Sequence, residues 1–250
     1  MANETVLELL EQSNWVIRGT VQKVGSATLP EVPASANTSV VRVDEVLSGA
    51  AQFSDHLGRE ITLYSDNPRG LAAGRTAVFF TRSWLYGRSL AVVEVGRIPE
   101  AKGSTMLDDI KDAEQAAFDR RLEARIAKAT VVVAGEVTDM GSGPELRRSI
   151  QTEHAPDWAQ AFVKVSEVLK GKDTGPIVAV VFPQSLDELW IDSPKFQRGQ
   201  SGVLILQLDQ DEKGWPVLRV PGLTALDPLD FQPMEALDRV RRMIEAGGTK

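Results

Sequence analysis

Cysteine is absent from the 250 residues, which excludes disulfide bonds, thiolate metal sites and cysteine nucleophiles. Only two histidines are present, His56 and His154, whereas a zinc site built mostly from imidazole and thiolate needs three or four such ligands. We therefore expect a turn residue at His56, a solvated loop residue at His154, and no metal site. A cysteine-free chain also fits a reducing compartment.

Long apolar runs are absent as well, since no stretch approaches the ~20 apolar residues of a membrane-spanning helix. The first charges of the chain are acidic and interrupt its apolar residues, unlike a secretory signal. We therefore expect a cytoplasmic protein without a membrane partner. The net charge of −7 makes nucleic acid an unfavoured partner, because binding to phosphates usually requires a basic face.

The common catalytic motifs are missing. The sequence has no phosphate-binding Gly-rich loop, no dinucleotide-binding Gly pattern and no nucleophile elbow. Residues 209–214 begin like a calcium loop, but the twelfth position is Val220, where a glutamate is required. We expect no cofactor and no enzymatic activity, and we keep an enzyme with an unrecognised carboxylate site as an alternative.

An internal repeat organises what is present. Residues 41–49 and 163–171 are identical at six of nine positions. Three further pairs of similar segments occur in the same order, namely 15–21 with 131–137, 73–80 with 198–205, and 90–93 with 217–220. Four matches in one order favour duplication of an ancestral unit over coincidence.

Each unit has the pattern of five short strands rich in Val, Ile, Phe and Thr and separated by turn residues. In the first unit we predict strands at 15–24, 39–47, 59–64, 76–82 and 89–97. In the second we predict strands at 130–139, 160–169, 176–182, 202–208 and 216–220. Five strands at this spacing favour a small barrel or sandwich.

Apolar residues at helical spacing predict a helix over 105–129, which we expect to pack on the first barrel and connect it to the second. A second helix is predicted at 233–246, with Pro233 in its first turn, and a short helix at about 4–13. The predicted domains are therefore a first repeat at 1–104, the connecting helix at 105–129, and a second repeat at 130–250.

The best candidate surface is the hairpin at residues 81–89. Arg82, Trp84 and Tyr86 alternate, so in a regular strand they would share one face, and Arg88 follows them. Arginine and aromatic residues are enriched in protein interfaces, and they also stack on single-stranded nucleic acid. A third interpretation is that the aromatic side chains cover the barrel end or dock on the other repeat. Three long polar insertions, at 25–38, 141–159 and 183–198, are further candidates for binding or are solvent loops.

Three short motifs recur in both units: Gly-x-Val ending the first strand, Val-Leu-x-Gly ending the second, and a Gly before an apolar strand. This pattern resembles bacterial OB-like domains similar to the netrin and TIMP-like fold, which implies five-stranded barrels packed against helices and no active site. TIMP-like inhibitors rely on an N-terminal cysteine and disulfides, so metalloprotease inhibition by that route is excluded here.

The sequence thus predicts a mainly β protein with some helix, an α+β chain of two tandem five-stranded OB-like barrels, each followed by a packing helix. The favoured function is a non-enzymatic adaptor or assembly module that binds a protein partner. Binding of single-stranded nucleic acid and an unrecognised enzyme are the alternatives.

Overall fold

The computed structural model describes residues 4–49, 56–86, 89–99, 106–143, 156–172, 174–187, 189–209 and 222–247. The chain forms two compact units, Met1–Asp119 and Arg120–Lys250. Both contain a closed five-stranded barrel accompanied by helices, as the sequence predicts. Among the described residues, no helix combines the length and apolar character needed to cross a membrane.

The first unit contains α1 (Glu4–Glu11), β1 (Trp15–Val24), β2 (Thr38–Gly49), β3 (Glu60–Tyr64), β4 (Thr76–Tyr86) and β5 (Leu90–Pro99). Its strands close in the order β1-β2-β3-β5-β4, with β3 and β5 parallel and the other described pairs antiparallel. The barrel is filled by alternate strand residues, among them Trp15, Ile17, Val41, Leu63 and Phe79. Removing these large side chains from water provides the main stabilisation of the barrel.

The second unit follows α2 (Met106–Lys128). It comprises β6 (Val131–Ser142), β7 (Trp158–Lys170), β8 (Ile177–Pro183), β9 (Ser201–Leu208), β10 (Leu223–Thr224), β11 (Phe231–Pro233) and α3 (Leu237–Gly247). Because β10 pairs in parallel with β8 and antiparallel with β9, the second barrel closes in the same order as the first. The strand β11 continues along the same edge of β9.

The duplication extends to the irregularities of the sheet. The pairing of β1 with β2 shifts at three places, and the pairing of β6 with β7 shifts at the three equivalent places. One of these bulges explains the Gly-x-Val motif: a Cβ atom on Gly19 would lie 2.6 Å from Val41 Cγ1, and one on Gly135 would lie 2.5 Å from the carbonyl oxygen of Lys164. Only glycine allows the strands to approach this closely.

A second motif, the glycine before the fourth strand, is explained by a shared turn. Gly74 and Gly199 both have positive φ, 80° and 84°. The amide of Gly74 donates to the carbonyl of Val21 at 2.8 Å, and the amide of Gly199 donates to that of Val137 at 2.7 Å. The turn therefore fixes the entry of the fourth strand in both barrels.

The fifth strand is where the units differ. The pairing register aligns Val92 with Leu223, since both lie opposite equivalent residues of the third strand, Leu63 and Val180. The match of 90–93 with 217–220 is therefore wrong in register, and the predicted strand at 216–220 lies outside the described residues. In the second unit the strand is split into β10 and β11 by residues 225–230, which end in a short 3-10 turn.

The predicted connecting helix is present as α2, and the division between the two compact units falls within it, after Asp119. Its first half packs Ile110 and Ala113 against α1 and the outer face of the first barrel. Its second half is tied to the second unit, where Lys170 Nζ donates to the carbonyls of Ile126 and Ala127 at 2.7 and 2.9 Å. Thus α2 follows the first barrel and also precedes the second, as α1 precedes the first.

The C-terminal helix begins later than predicted. Pro233 does not lie in its first turn, because residues 231–233 pair with β9 and residues 234–236 form a 3-10 turn before α3 begins at Leu237. The helix buries Val240 and ends at Gly247.

Candidate interaction surfaces

The predicted candidate residues lie at the end of the β4–β5 hairpin. Arg82 pairs with Val93, but the register shifts between Ser83 and Leu85, so that Trp84 is the extra residue of a bulge. After the bulge, Tyr86 pairs with Leu90, a residue of the barrel core. The bulge shifts the strand pairing by one residue between Arg82 and Tyr86. It therefore interrupts the regular alternation on which a shared face of Arg82, Trp84 and Tyr86 depends. Arg88 lies outside the described residues.

The hairpin end, residues 82–85, is exposed although the strand leading to it is buried. Trp84 is 45% exposed and Leu85 39% exposed. The Trp84 ring lies edge-on to Tyr64 of β3, with ring centroids 5.6 Å apart. The amide of Ser83 donates to Asn14 Oδ1 at 3.1 Å. These contacts hold the Trp84 ring and the backbone at Ser83 in place at the protein surface.

The first insertion is structural in this unit. Its Leu29 and Val32 are buried against Ala91 of β5, and the amide of Thr28 donates to Thr62 Oγ1 at 2.8 Å. The loop therefore covers the outer side of β3 and β5. The usual binding face of an OB fold combines strands 2 and 3 with the loops between strands 1 and 2 and between strands 4 and 5. This insertion is the loop between β1 and β2, and the hairpin end lies where β4 turns toward β5.

A second exposed apolar surface lies after β8 in the second unit. Within residues 186–192, here named the apolar turn, Leu186 is 76% exposed, Leu189 63% and Ile191 54%. The sequence predicts an insertion at 183–198, but its pattern does not indicate that these side chains are exposed. Three large aliphatic side chains grouped in one surface segment are typical of a contact site.

Hydrogen bonds connect the described residues of the apolar turn. The amides of Trp190 and Ile191 both donate to the carbonyl of Asp187 at 2.8 Å, and the amide of Leu189 donates to Asp187 Oδ1 at 2.9 Å. Lys195 Nζ donates to the carbonyl of Trp190 at 2.6 Å. Burial lowers the pKa of Lys195, while the charge of Asp192 acts in the opposite direction.

The turn is anchored to the beginning of β7. The Trp190 ring lies edge-on to Trp158 with centroids 5.9 Å apart, and the amide of Asp157 donates to Ser185 Oγ at 2.7 Å. Edge-to-face aromatic pairs contribute about 0.5–1.5 kcal/mol beyond the burial of their area. Trp158 and Trp190 therefore fix the position from which the aliphatic side chains project.

At the other end of β7 lies a cleft of about 820 Å³. It is bordered by the second half of α2, by Lys170 and by the end of α3. The apolar lining residues are Ala124, Ile126, Ala127, Met243, Ile244 and Ala246, and the charged ones are Arg120, Glu123 and Lys170. Burial lowers the pKa of Lys170. A largely apolar cleft of this volume with a few charged groups has the composition of a binding site.

The remaining charged groups in the interior serve the fold. Burial raises the pKa of Glu94, and hydrogen bonds from Ser65 and the charge of Arg97 oppose this change only partly. Arg97 Nη1 lies 2.6 and 2.7 Å from the two oxygens of Glu94. Among the described residues, no cluster of ligand-type side chains could hold a metal ion.

Of the two histidines, His56 lies within the described residues. His56 is buried edge-on against Trp15, with centroids 6.0 Å apart, and the amide of Arg59 donates to its carbonyl at 3.0 Å. The predicted turn position of His56 is therefore confirmed, although the ring is buried. His154 lies outside the described residues.

Comparison with known proteins yields little. No protein-family model matches the chain, and no curated protein matches it. Among solved structures, a single-stranded DNA-binding protein from Thermus aquaticus aligns at 12% identity over 88% of this chain and 91% of that chain, with a TM-score of 0.19. A likeness this weak carries no argument, so the OB-like assignment rests on the strand order of the two barrels.

Proposed function

We propose that this chain is a protein-interaction module, a tandem OB-like adaptor that acts through side chains displayed at the ends of its barrels. The observation that carries the proposal is the hairpin end, where Trp84 and Leu85 stay exposed although the preceding strand residues Phe79, Phe80 and Thr81 are fully buried. Exposed aromatic side chains of this kind are enriched in protein interfaces.

Energetics support a protein contact at this position. Tryptophan and arginine are enriched among the few interface residues whose truncation costs about 2 kcal/mol or more. Arg82 and Trp84 are both exposed, and the Tyr64 contact limits the rotamers of Trp84 before any partner binds. A side chain that is already ordered loses less entropy on association.

The test is site-specific photo-crosslinking in the native cells. A photoreactive phenylalanine analogue at position 85 should capture one defined protein, whereas the same analogue at Leu57, which is 59% exposed elsewhere on the unit, should not. The captured band should disappear in Trp84→Ala with the barrel still folded by circular dichroism. Identical products from both positions, or persistence of the band in Trp84→Ala, would refute the proposal.

A second candidate function is the binding of single-stranded nucleic acid. The observation in its favour is the pairing of Tyr64 with Trp84 beside Arg82, because aromatic platforms with a nearby arginine stack on unpaired bases. This function requires binding of a fluorescent oligothymidylate that weakens with added salt and is lost in the Arg82→Ala/Trp84→Ala variant. Lack of binding at low salt would eliminate it.

The enzyme alternative is less well supported by the site. It requires paired acids in a pocket, and Glu123 is the sole carboxylate residue lining the described cleft. The absence of enzymatic activity and the resemblance to netrin and TIMP-like domains remain predictions, since no comparison tests either of them.

A further inference from the structure

The second unit carries two surfaces of complementary chemistry. Among its described residues, the apolar turn exposes Leu186, Leu189 and Ile191 and carries the carboxylates of Asp187 and Asp192, and the ammonium group of Lys195 lies close by. The cleft presents six apolar residues with the cations Arg120 and Lys170 against one carboxylate, Glu123. One surface is therefore apolar and net acidic, and the other is apolar and net basic.

The two surfaces cannot meet within one molecule. The turn is fastened to Trp158 at the first residue of β7, whereas Lys170 at the last residue of β7 lines the cleft. Twelve residues separate the two along the strand, which at about 3.3 Å per residue is roughly 40 Å of extended chain. Both surfaces belong to the same compact unit, so the turn has no path into its own cleft.

We propose that the apolar turn of one copy of this chain inserts into the cleft of a second copy. Leu189 and Ile191 enter between α2 and α3, and Asp187 and Asp192 face the Arg120 and Lys170 side of the cleft. The contact joins two different surfaces, so it generates a closed ring or an open filament, or a two-fold dimer where both contacts form reciprocally between two copies. The proposal concerns the second unit alone and is independent of the hairpin end.

The shape of the cleft favours an occupant of this kind. Its α2 side consists of exposed small residues, Ala124 and Ala127, which leave room for aliphatic side chains. Lys170 Nζ is held by the carbonyls of Ile126 and Ala127 at the C-terminal end of α2, so its charge is fixed in position at the cleft margin. An inserted apolar turn with flanking carboxylates would bury aliphatic area while pairing with that charge.

The experiment is sedimentation velocity of the full chain over a wide concentration range. Wild type should associate as concentration rises. Leu189→Ser/Ile191→Ser, which breaks the turn, and Ala124→Glu, which blocks the cleft with bulk and negative charge, should each associate at least about 30-fold more weakly, the effect of losing one hot-spot side chain. Ile177→Ser is the matched control, because Ile177 is 57% exposed in the same unit outside the turn, and it should associate like wild type.

Mixing the two variants gives the sharper result. Ala124→Glu keeps an intact turn and Leu189→Ser/Ile191→Ser keeps an intact cleft, so the mixture should form a dimer and nothing larger. Wild type that stays monomeric throughout, variants that associate like wild type, or a mixture without the dimer would each overturn the proposal. Trp84→Ala should associate like wild type, which separates this test from that of the hairpin end.

Discussion

Replacing Asp230 by alanine should destabilise the second unit more than any surface change. The carboxylate is fully buried and accepts four hydrogen bonds. Two come from Arg125 Nε and Nη2 at 2.6 and 2.7 Å, and two from the amides of Leu226 and Asp227 at 2.7 and 2.9 Å. Burial acts to lower the pKa of Arg125, but the hydrogen bonds and charge of Asp230 outweigh it and the pKa is raised.

The magnitude follows from what the substitution leaves behind. Removing one partner of a buried ion pair costs about 3–5 kcal/mol, because the other charge stays buried without compensation. The Arg125 side chain is 19% exposed, so part of its charge can be solvated, and we expect about 3 kcal/mol from the pair. Loss of the acceptor for two amides adds roughly 1 kcal/mol, which gives a total of about 4 kcal/mol.

The assay is hydrogen exchange combined with urea unfolding, read separately for each unit. In Asp230→Ala, amides of β9 should lose protection equivalent to about 4 kcal/mol, while amides of β4 should change little. The control is Glu167→Ala, which removes an ion pair with Arg241 that is about 40% exposed on both sides and should change stability little, because solvent screens an exposed pair. A loss below about 1 kcal/mol in Asp230→Ala, or an equal loss in both units, would refute this account.

Three more predictions concern the scaffold. Gly135→Ala should cost about 1–3 kcal/mol, because the new Cβ would meet the carbonyl of Lys164, whereas Gly175→Ala, with its nearest neighbour at 3.9 Å, should be nearly neutral in urea unfolding. The raised pKa of Glu94 means that its protonated form favours folding. The stability of wild type relative to Glu94→Gln should therefore fall as pH rises from below the ordinary glutamate pKa through the raised value. Urea unfolding at several pH values measures this difference. Lys170→Met should weaken the end of α2 by about 1–3 kcal/mol through loss of two charge-assisted hydrogen bonds, with faster amide exchange at residues 124–128 as the readout.

The barrels could be predicted from sequence because their determinants are local. Alternating apolar residues mark the strands. The Gly-x-Val motif marks the bulge at Gly19 and Gly135, where the neighbouring strand approaches too closely for a Cβ atom. The fifth strand of the second unit could not be placed, because its halves are separated by residues 225–230, whose turn is held by the distant Arg125. A strand divided by a long-range ion pair leaves no periodic signal.

The candidate surfaces were less predictable for a related reason. The alternation of Arg82, Trp84 and Tyr86 assumes a regular strand, and the bulge at Trp84 depends on the register with β5, which no short pattern encodes. The cleft depends on which faces of α2 and α3 meet. Leu189 and Ile191 belong to an insertion that the sequence did mark, but their exposure is set by the Asp187 turn.

The duplication separates residues that shape the barrel from residues that vary at the surface. Positions that shape the barrel are retained between the units, as Gly19 with Gly135 and Gly74 with Gly199 illustrate. The same strand pairing aligns Arg82 with Gln207, and the repeated Val-Leu-x-Gly segment aligns Ser48 with Lys170. A cation at the hairpin end is thus found in the first unit, and a cation at the end of the second strand is found in the second. The two units therefore keep the residues that shape the barrel and differ in the charge of their surfaces at both places.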